Sequence, residues 1–160
     1  MRLETPWESC ITLGHDWGWT PTDIYKTPTK VVHMLVEIVA KGGNLILGVG
    51  PKPDGTIPED VIWRLEKIGQ WLDKNGEAIY GTRPVYEYND GRTWFTGNQK
   101  GTKVYAVNCL EEGAPVPAKI LWKGNEPAPG ARMVLLQTGK PVKWSKTAEM
   151  KGVSGEDDDD

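Results

Sequence analysis

The chain has 160 residues and a formal net charge of -3 at neutral pH. A near-balanced, slightly acidic chain argues against a nucleic-acid or membrane-surface binder, and no apolar run reaches the ~20 residues that span a bilayer. The length suits one domain, or a small domain with part of another, and falls short of the roughly 250 residues of a complete (β/α)8 barrel.

In chain order, residues 1–26 are expected to be loop-rich, punctuated by Gly14, Gly18 and Pro21. The opening MRLET lacks the apolar core of a signal peptide. The stretch TPWESCITLGHDWGW gathers Trp7, Trp17 and Trp19 with Glu8 and His15. Eight tryptophans against one phenylalanine fit carbohydrate binding, because indole faces stack on the C–H faces of sugars. They fit a tryptophan-filled core equally well. An aromatic surround would raise the pKa of Glu8, as a general acid requires, but on the residues alone a capping or surface role comes first. His15 and Asp16 are adjacent, point in different directions, and suit satisfied loop residues better than an acid–base or metal pair. Cys10 and Cys109 lie far apart without a C-x-x-C partner. That excludes a disulfide framework, argues against a metal site, and leaves both as expected buried thiols.

TPTKVVHMLVEIVAKGGN predicts a helix. Thr27 suits the N-cap, Pro28 the first turn, and Gly42 with Gly43 the stop. Val31, Val32, Leu35, Ile38 and Val39 form its apolar face, and His33 is a helix-face histidine. NLILGVGP, residues 44–51, predicts a strand buried on both faces, as in a parallel sheet. It is not a phosphate loop, because Lys52 is followed by Pro53. Gly48 and Gly50 at its end point to close approach by a ligand or backbone. In a barrel, the loop after a strand belongs to the active-site face, so Asn44 to Gly55 is the candidate pocket floor and wall. After the turn KPDGTIPEDV, a second helix is predicted from about Pro58 to Asn75. Its apolar face is Val61, Ile62, Leu65, Ile68 and Leu72, and Gly76 closes it. One strand is not a sheet, so partner strands must come from elsewhere.

Beyond GTRP the pattern changes. TWFTGN, KVYAVNCL, AKILWK and RMVLLQ are short strand-like runs between turn residues, predicting a small antiparallel β domain over 85–147. The acidic tail, 148–160, is expected to be disordered.

PWESC, DWGW, VEIVAKGGNLILGVGPKPDGTIPEDV and IGQWLDKNGEAIYGTRP, in that order, resemble the α-L-fucosidases of glycoside hydrolase family 29. The resemblance is close over residues 5–84 and looser to about 147. It implies an α/β part followed by an all-β part. Residues 1–84 would be the last part of a (β/α) barrel-like catalytic domain, and 85–147 a small antiparallel β-sandwich. The implied activity is a retaining α-L-fucosidase. One carboxylate attacks the anomeric carbon and a second carboxylic acid protonates the leaving oxygen, ~5–5.5 Å away.

Under the resemblance, Glu8 matches the general acid/base, and Trp7, Trp17 and Trp19 would bind the sugar. The family's nucleophile aspartate and its fucose-holding histidines precede the W-E block. None of Asp16, Asp23 and Asp54 sits in the nucleophile's motif. The expected substrate is a fucosylated glycan or fucoside, with a companion chain or self-association completing the barrel. A non-catalytic fucose-binding or structural remnant is the alternative. No metal, organic cofactor, nucleic acid or membrane partner is implied. The compartment is left open, with periplasmic, secreted and lysosomal homes suggested by the resemblance. A lone barrel strand with uncovered helices further predicts self-association or weak cooperativity in the barrel part.

Overall fold

Two strands, β1 (Trp7–Thr12) and β2 (Gly43–Gly48), pair in parallel, with Trp7 opposite Gly43 and Thr12 opposite Gly48. They belong to a computed structural model that describes residues 5–147; the predicted acidic tail lies outside the described residues. β1 corrects the expectation of a loop-rich stretch over residues 1–26. Its residues alternate: Trp7, Ser9 and Ile11 are half-buried while Glu8 and Cys10 are exposed. β2 alternates in step, with Leu45 and Leu47 packed on the core and Asn44 and Ile46 exposed. A period of two with one covered face marks a half-buried strand. β2 is therefore covered on one face, not both as predicted, and its open face leaves Ile46 45% exposed.

Helix α1 (Pro28–Ala40) connects the two strands. Thr27 caps it, its hydroxyl accepting from the Lys30 backbone N–H at 3.1 Å, with Pro28 in the first turn. That satisfies one of the orphan donors at a helix start. Helix α2 (Glu59–Asn75) begins after Pro58, with Glu59 and Asp60 in its first turn, where negative charge complements the helix dipole. Of its predicted apolar face, Val61 and Ile68 are buried, whereas Ile62 is 41% and Leu65 36% exposed. The spacing was legible, but the described residues offer no partner for that side.

The remaining strands are antiparallel: β3 (Arg83–Asp90), β4 (Thr93–Gly97) and β5 (Val104–Asn108) in the order β3-β4-β5, then a hairpin of β6 (Val134–Leu135) and β7 (Lys140–Pro141). A register shift between Pro84 and Asn89 interrupts the β3–β4 ladder. AKILWK is not a strand, and RMVLLQ contributes only Val134 and Leu135. In AKILWK, Ile120 and Leu121 are exposed and Trp122 is the residue that packs, edge-on to Phe95 with ring centroids 5.8 Å apart.

The core runs through both parts. Leu13, Val31, Val32, Val36, Val61, Ile68, Ile79 and Cys109 form one buried cluster, with Trp94 and Val107 of the antiparallel sheet packed against it. α1 is the shared layer, packed against β2 and α2 of the first part and against β3 and β4 of the second. Trp94 and Phe95, adjacent in β4, point to opposite faces. Trp94 meets α1, where the Lys41 ammonium lies 5.4 Å from its ring, and Phe95 meets Trp122.

A polar clasp ties β5 to the turn after α2. Glu77 accepts from Lys103 Nζ at 2.7 Å and from the Tyr105 hydroxyl at 2.8 Å. The Lys103 and Tyr105 hydrogen bonds draw the Glu77 carboxyl below its usual value. Burial, then Glu77, pushes Tyr105 up to about 12 from 10.0. A raised folded pKa means that the phenol's contribution is whole below the unfolded value and is lost as pH climbs through the folded one. We expect the melting temperature to drop more steeply between pH ~10 and ~12 in the native chain than in Tyr105→Phe. Parallel curves would show that the clasp carries no such linkage.

Candidate active site

Because β1 and β2 are parallel, their C-terminal ends share one end of the pair. The ladder continues one step beyond β1, with Leu13 N–H donating to Gly48 O at 2.9 Å. From there leave the loops 14–26 and 49–58. The first is closed at its base: Lys26 N–H donates to Leu13 O at 2.8 Å, and Lys26 Nζ donates to Thr12 O at 2.6 Å and Gly14 O at 3.2 Å. Within it, Asp23 Oδ1 accepts from the backbone N–H of His15 at 2.7 Å and of Ile24 at 2.8 Å.

The two loops meet backbone to backbone. A Cβ on Gly50 would stand 2.5 Å from Trp19 N and 2.7 Å from Gly18 C, so only glycine permits the approach. Trp17 lies over Gly48, its ring 3.6 Å from where a Cβ there would be, and is 68% exposed. Gly48 shares the open face with Glu8, Cys10, Asn44 and Ile46. An aromatic surface thus stands at the C-terminal end of the strand pair, above a sheet face that nothing in the described residues covers. The chemistry this suits is stacking on an apolar ring face.

The loop after β2 folds as a tight turn, with Gly55 N–H donating to Lys52 O and Lys52 N–H to Thr56 O, both at 2.8 Å. Asp54 is spent on that turn. It accepts from the Thr56 hydroxyl at 2.7 Å and N–H at 2.9 Å, and those bonds hold its carboxyl below the usual range.

Trp7, Glu8, Trp17 and Trp19, grouped in sequence, do not stay together. Trp17 and Trp19 sit at the C-terminal end. Trp7 is on the other face of β1, its ring 2.6 Å from where a Gly43 Cβ would be and its Nε1 donating to Lys41 O at 3.2 Å. In this position it packs between strand and helix and does not line the open face. Glu8 is exposed on the open face, but four residues before Thr12, about 13 Å below the mouth at ~3.3 Å per residue. The aromatic enclosure expected around it is not formed among the described residues. His15 and Asp16 are exposed in the loop. His33 lies on α1 in an open cleft with Glu37, Arg92, Glu111 and Glu112. Burial first, and Arg92 second, lower its pKa. No group of three or more His, Cys, Asp or Glu side chains able to hold a metal ion occurs among the described residues.

Cys10 corrects the expectation of two buried thiols: it is exposed, while Cys109 is buried. Burial pushes the Cys109 thiol up to about 11, and the thiolate is the reactive species. In the folded chain a disulfide reagent should titrate Cys10 quickly and Cys109 only on denaturation. Two fast thiols would mean that the core around Cys109 is open. Asp23 and Lys26 were not identified from sequence. Their partners are backbone groups of the loop, which no residue spacing announces.

The family model described as "Alpha-L-fucosidase" matches residues 1–77. Plasma α-L-fucosidase of Homo sapiens is 36% identical over 150 residues, 89% of this chain and 32% of that protein. The chain belongs to the α-L-fucosidase family. The α-L-fucosidase of Dictyostelium discoideum is 42% identical over 105 residues, 62% of this chain and 23% of that protein. Among solved α-L-fucosidases, the Thermotoga maritima enzyme in complex with a mechanism-based inhibitor is 31% identical with a TM-score of 0.74, covering 91% of this chain and 34% of that one. The chain therefore spans about a quarter to a third of the fucosidases it matches.

Proposed function

We propose that the chain is the C-terminal portion of a retaining α-L-fucosidase and builds one wall of its site. Residues 1–84 are then the end of the (β/α) barrel and 85–147 belong to a β-sandwich. The observation that carries the reading is the exposed Trp17 over Gly48, an aromatic surface at the strand end where barrel enzymes bind substrate. The substrate is a terminal α-L-fucoside, its apolar ring face set against that indole. The uncovered sheet face and the exposed Ile62 and Leu65 of α2 suit docking of the rest of the barrel, from a companion chain or a further copy. The nucleophile comes with it. Asp54 is held in its turn, and Asp23 in the loop.

Glu8 has two readings. By resemblance it is the general acid/base, and it faces the side that a barrel turns inward. Its place low on β1 favours a charged group of the barrel floor, because catalytic residues of such barrels cluster at strand C-terminal ends. Glu8→Gln decides between them in the completed enzyme. A loss of roughly 10²–10⁴-fold, with azide rescuing the truncated Glu8→Ala, assigns the acid/base. A loss below about tenfold, with the pH profile kept, assigns the floor.

The function itself is tested by release of p-nitrophenol from p-nitrophenyl α-L-fucoside. We expect turnover once the upstream barrel is supplied. Fucose binding without turnover in that assembly would leave a non-catalytic sugar-binding relative, and neither binding nor turnover would sink the proposal.

A further inference from the structure

The loop that carries Trp17 and Trp19 closes on a part-buried stem at Lys26. Lys26 sits where the loop rejoins the body, and its ammonium reaches back to two carbonyls, Thr12 O and Gly14 O, that mark where the loop departs. Its backbone lies in a chain of contacts across the molecule. Gly48 O accepts from Leu13 N, Leu13 O accepts from Lys26 N, and Lys26 O accepts from Arg64 Nε at 3.2 Å. The mouth is thereby linked to α2 through one residue. Asp23 adds the second fastening, on the N–H of His15. Among the described residues no carboxylate pairs with the Lys26 ammonium, so its charge is directed wholly to the loop base.

From this geometry we infer that Lys26 is a positioning residue: its ammonium closes the 14–25 loop and so sets Trp17 over Gly48 and Trp19 against Gly50. The sugar-binding consequence rests on the fucosidase reading, whereas the closure itself does not. A charge-assisted hydrogen bond is about twice as strong as a neutral one; without the ammonium, Thr12 O loses that donor and Gly14 O keeps the Thr12 hydroxyl at 2.7 Å, which favours opening. A pre-set indole spares the ordering cost that a floppy one imposes on each ligand.

The test compares Lys26→Met, Lys26→Arg and the control Lys30→Met in the full chain. Amide hydrogen exchange is followed over the loop and over α1, and quenching of tryptophan fluorescence by L-fucose is read in parallel. We expect Lys26→Met to lose protection by tenfold or more at residues 15–24 with α1 unchanged, Lys26→Arg to restore most of it, and Lys30→Met to match the parent chain. Fucose affinity should fall with Lys26→Met and return with Lys26→Arg, and in the completed enzyme KM should rise more than kcat falls. Unchanged exchange in the loop would overturn the closure. If the parent chain and its completed enzyme ignore fucose while exchange changes as expected, the closure stands and the fucosidase reading fails. Should Lys26→Met unfold the chain, Lys26→Gln, which removes the charge and keeps a neutral donor, serves in its place. It should loosen residues 15–24 alone, and an unmoved loop would again overturn the inference.

Discussion

Phe95→Ala is expected to cost about 3 kcal/mol of folding stability, at the lower end of the range for emptying a phenylalanine site. Phe95 is the single phenylalanine of the chain and is 1% exposed. It stands in the central strand β4, on the face turned away from α1, with the Trp122 edge against it. Truncation removes both the buried ring and the surface against which Trp122 packs. Residues 110–133 are irregular and can partly close the void, which is why the low end applies. Urea unfolding followed by tryptophan emission would measure the change. A shift below about 1 kcal/mol would mean that the irregular segment collapses into the void almost completely.

Gly50→Ala should cost about 2–3 kcal/mol, the usual range for overpacking, and should disturb Trp19 most. The added methyl would fall 2.5 Å from Trp19 N and 2.7 Å from Gly18 C. These are backbone atoms, so no side-chain rotation relieves the clash and one loop must move. Gly18→Ala is the matched control, since nothing lies within 4 Å of a Cβ there. Its effect should stay within about 0.5 kcal/mol. Equal effects at the two positions would show that the loops are not in contact as described. Loss of fucoside binding in Gly50→Ala alone would tie that contact to the site.

Both helices were legible because each carries its own signals. Thr27 and Pro28 announce one start, and the apolar residues of each recur at helical spacing. β2, β4 and β5 were legible as short apolar runs. β1 was missed because Glu8, Ser9 and Cys10 dilute its alternation, and its partner lies more than thirty residues downstream. β3 was missed because Pro84 is its second residue and a register shift breaks its ladder. AKILWK misled in the other direction: its apolar residues suit a strand, yet Trp122 alone finds a surface to cover. At the site, the aromatic loop and the close glycines could be picked out. Which tryptophan faces the open side could not, because a single position along a strand reverses the face. That is what separates Trp7 from Glu8, and strand direction is what separates Glu8 from both Trp17 and Trp19.

The sharing of α1 between the two sheets bears on how this molecule could ever be divided. The family match stops at residue 77, which invites severing the chain there and handling the remainder as a module. Such a cut would strip Trp94, Val107 and Cys109 from the valines they cover and leave each piece with half of a common interior. A protease nicking the connection at residues 80–82 should therefore release no durable product. The nicked halves would stay clasped, and on forced separation both would be degraded. Any exchange of segments among such proteins would have to carry this helix together with both of its neighbours, so the unit of inheritance is larger than the unit of pattern recognition.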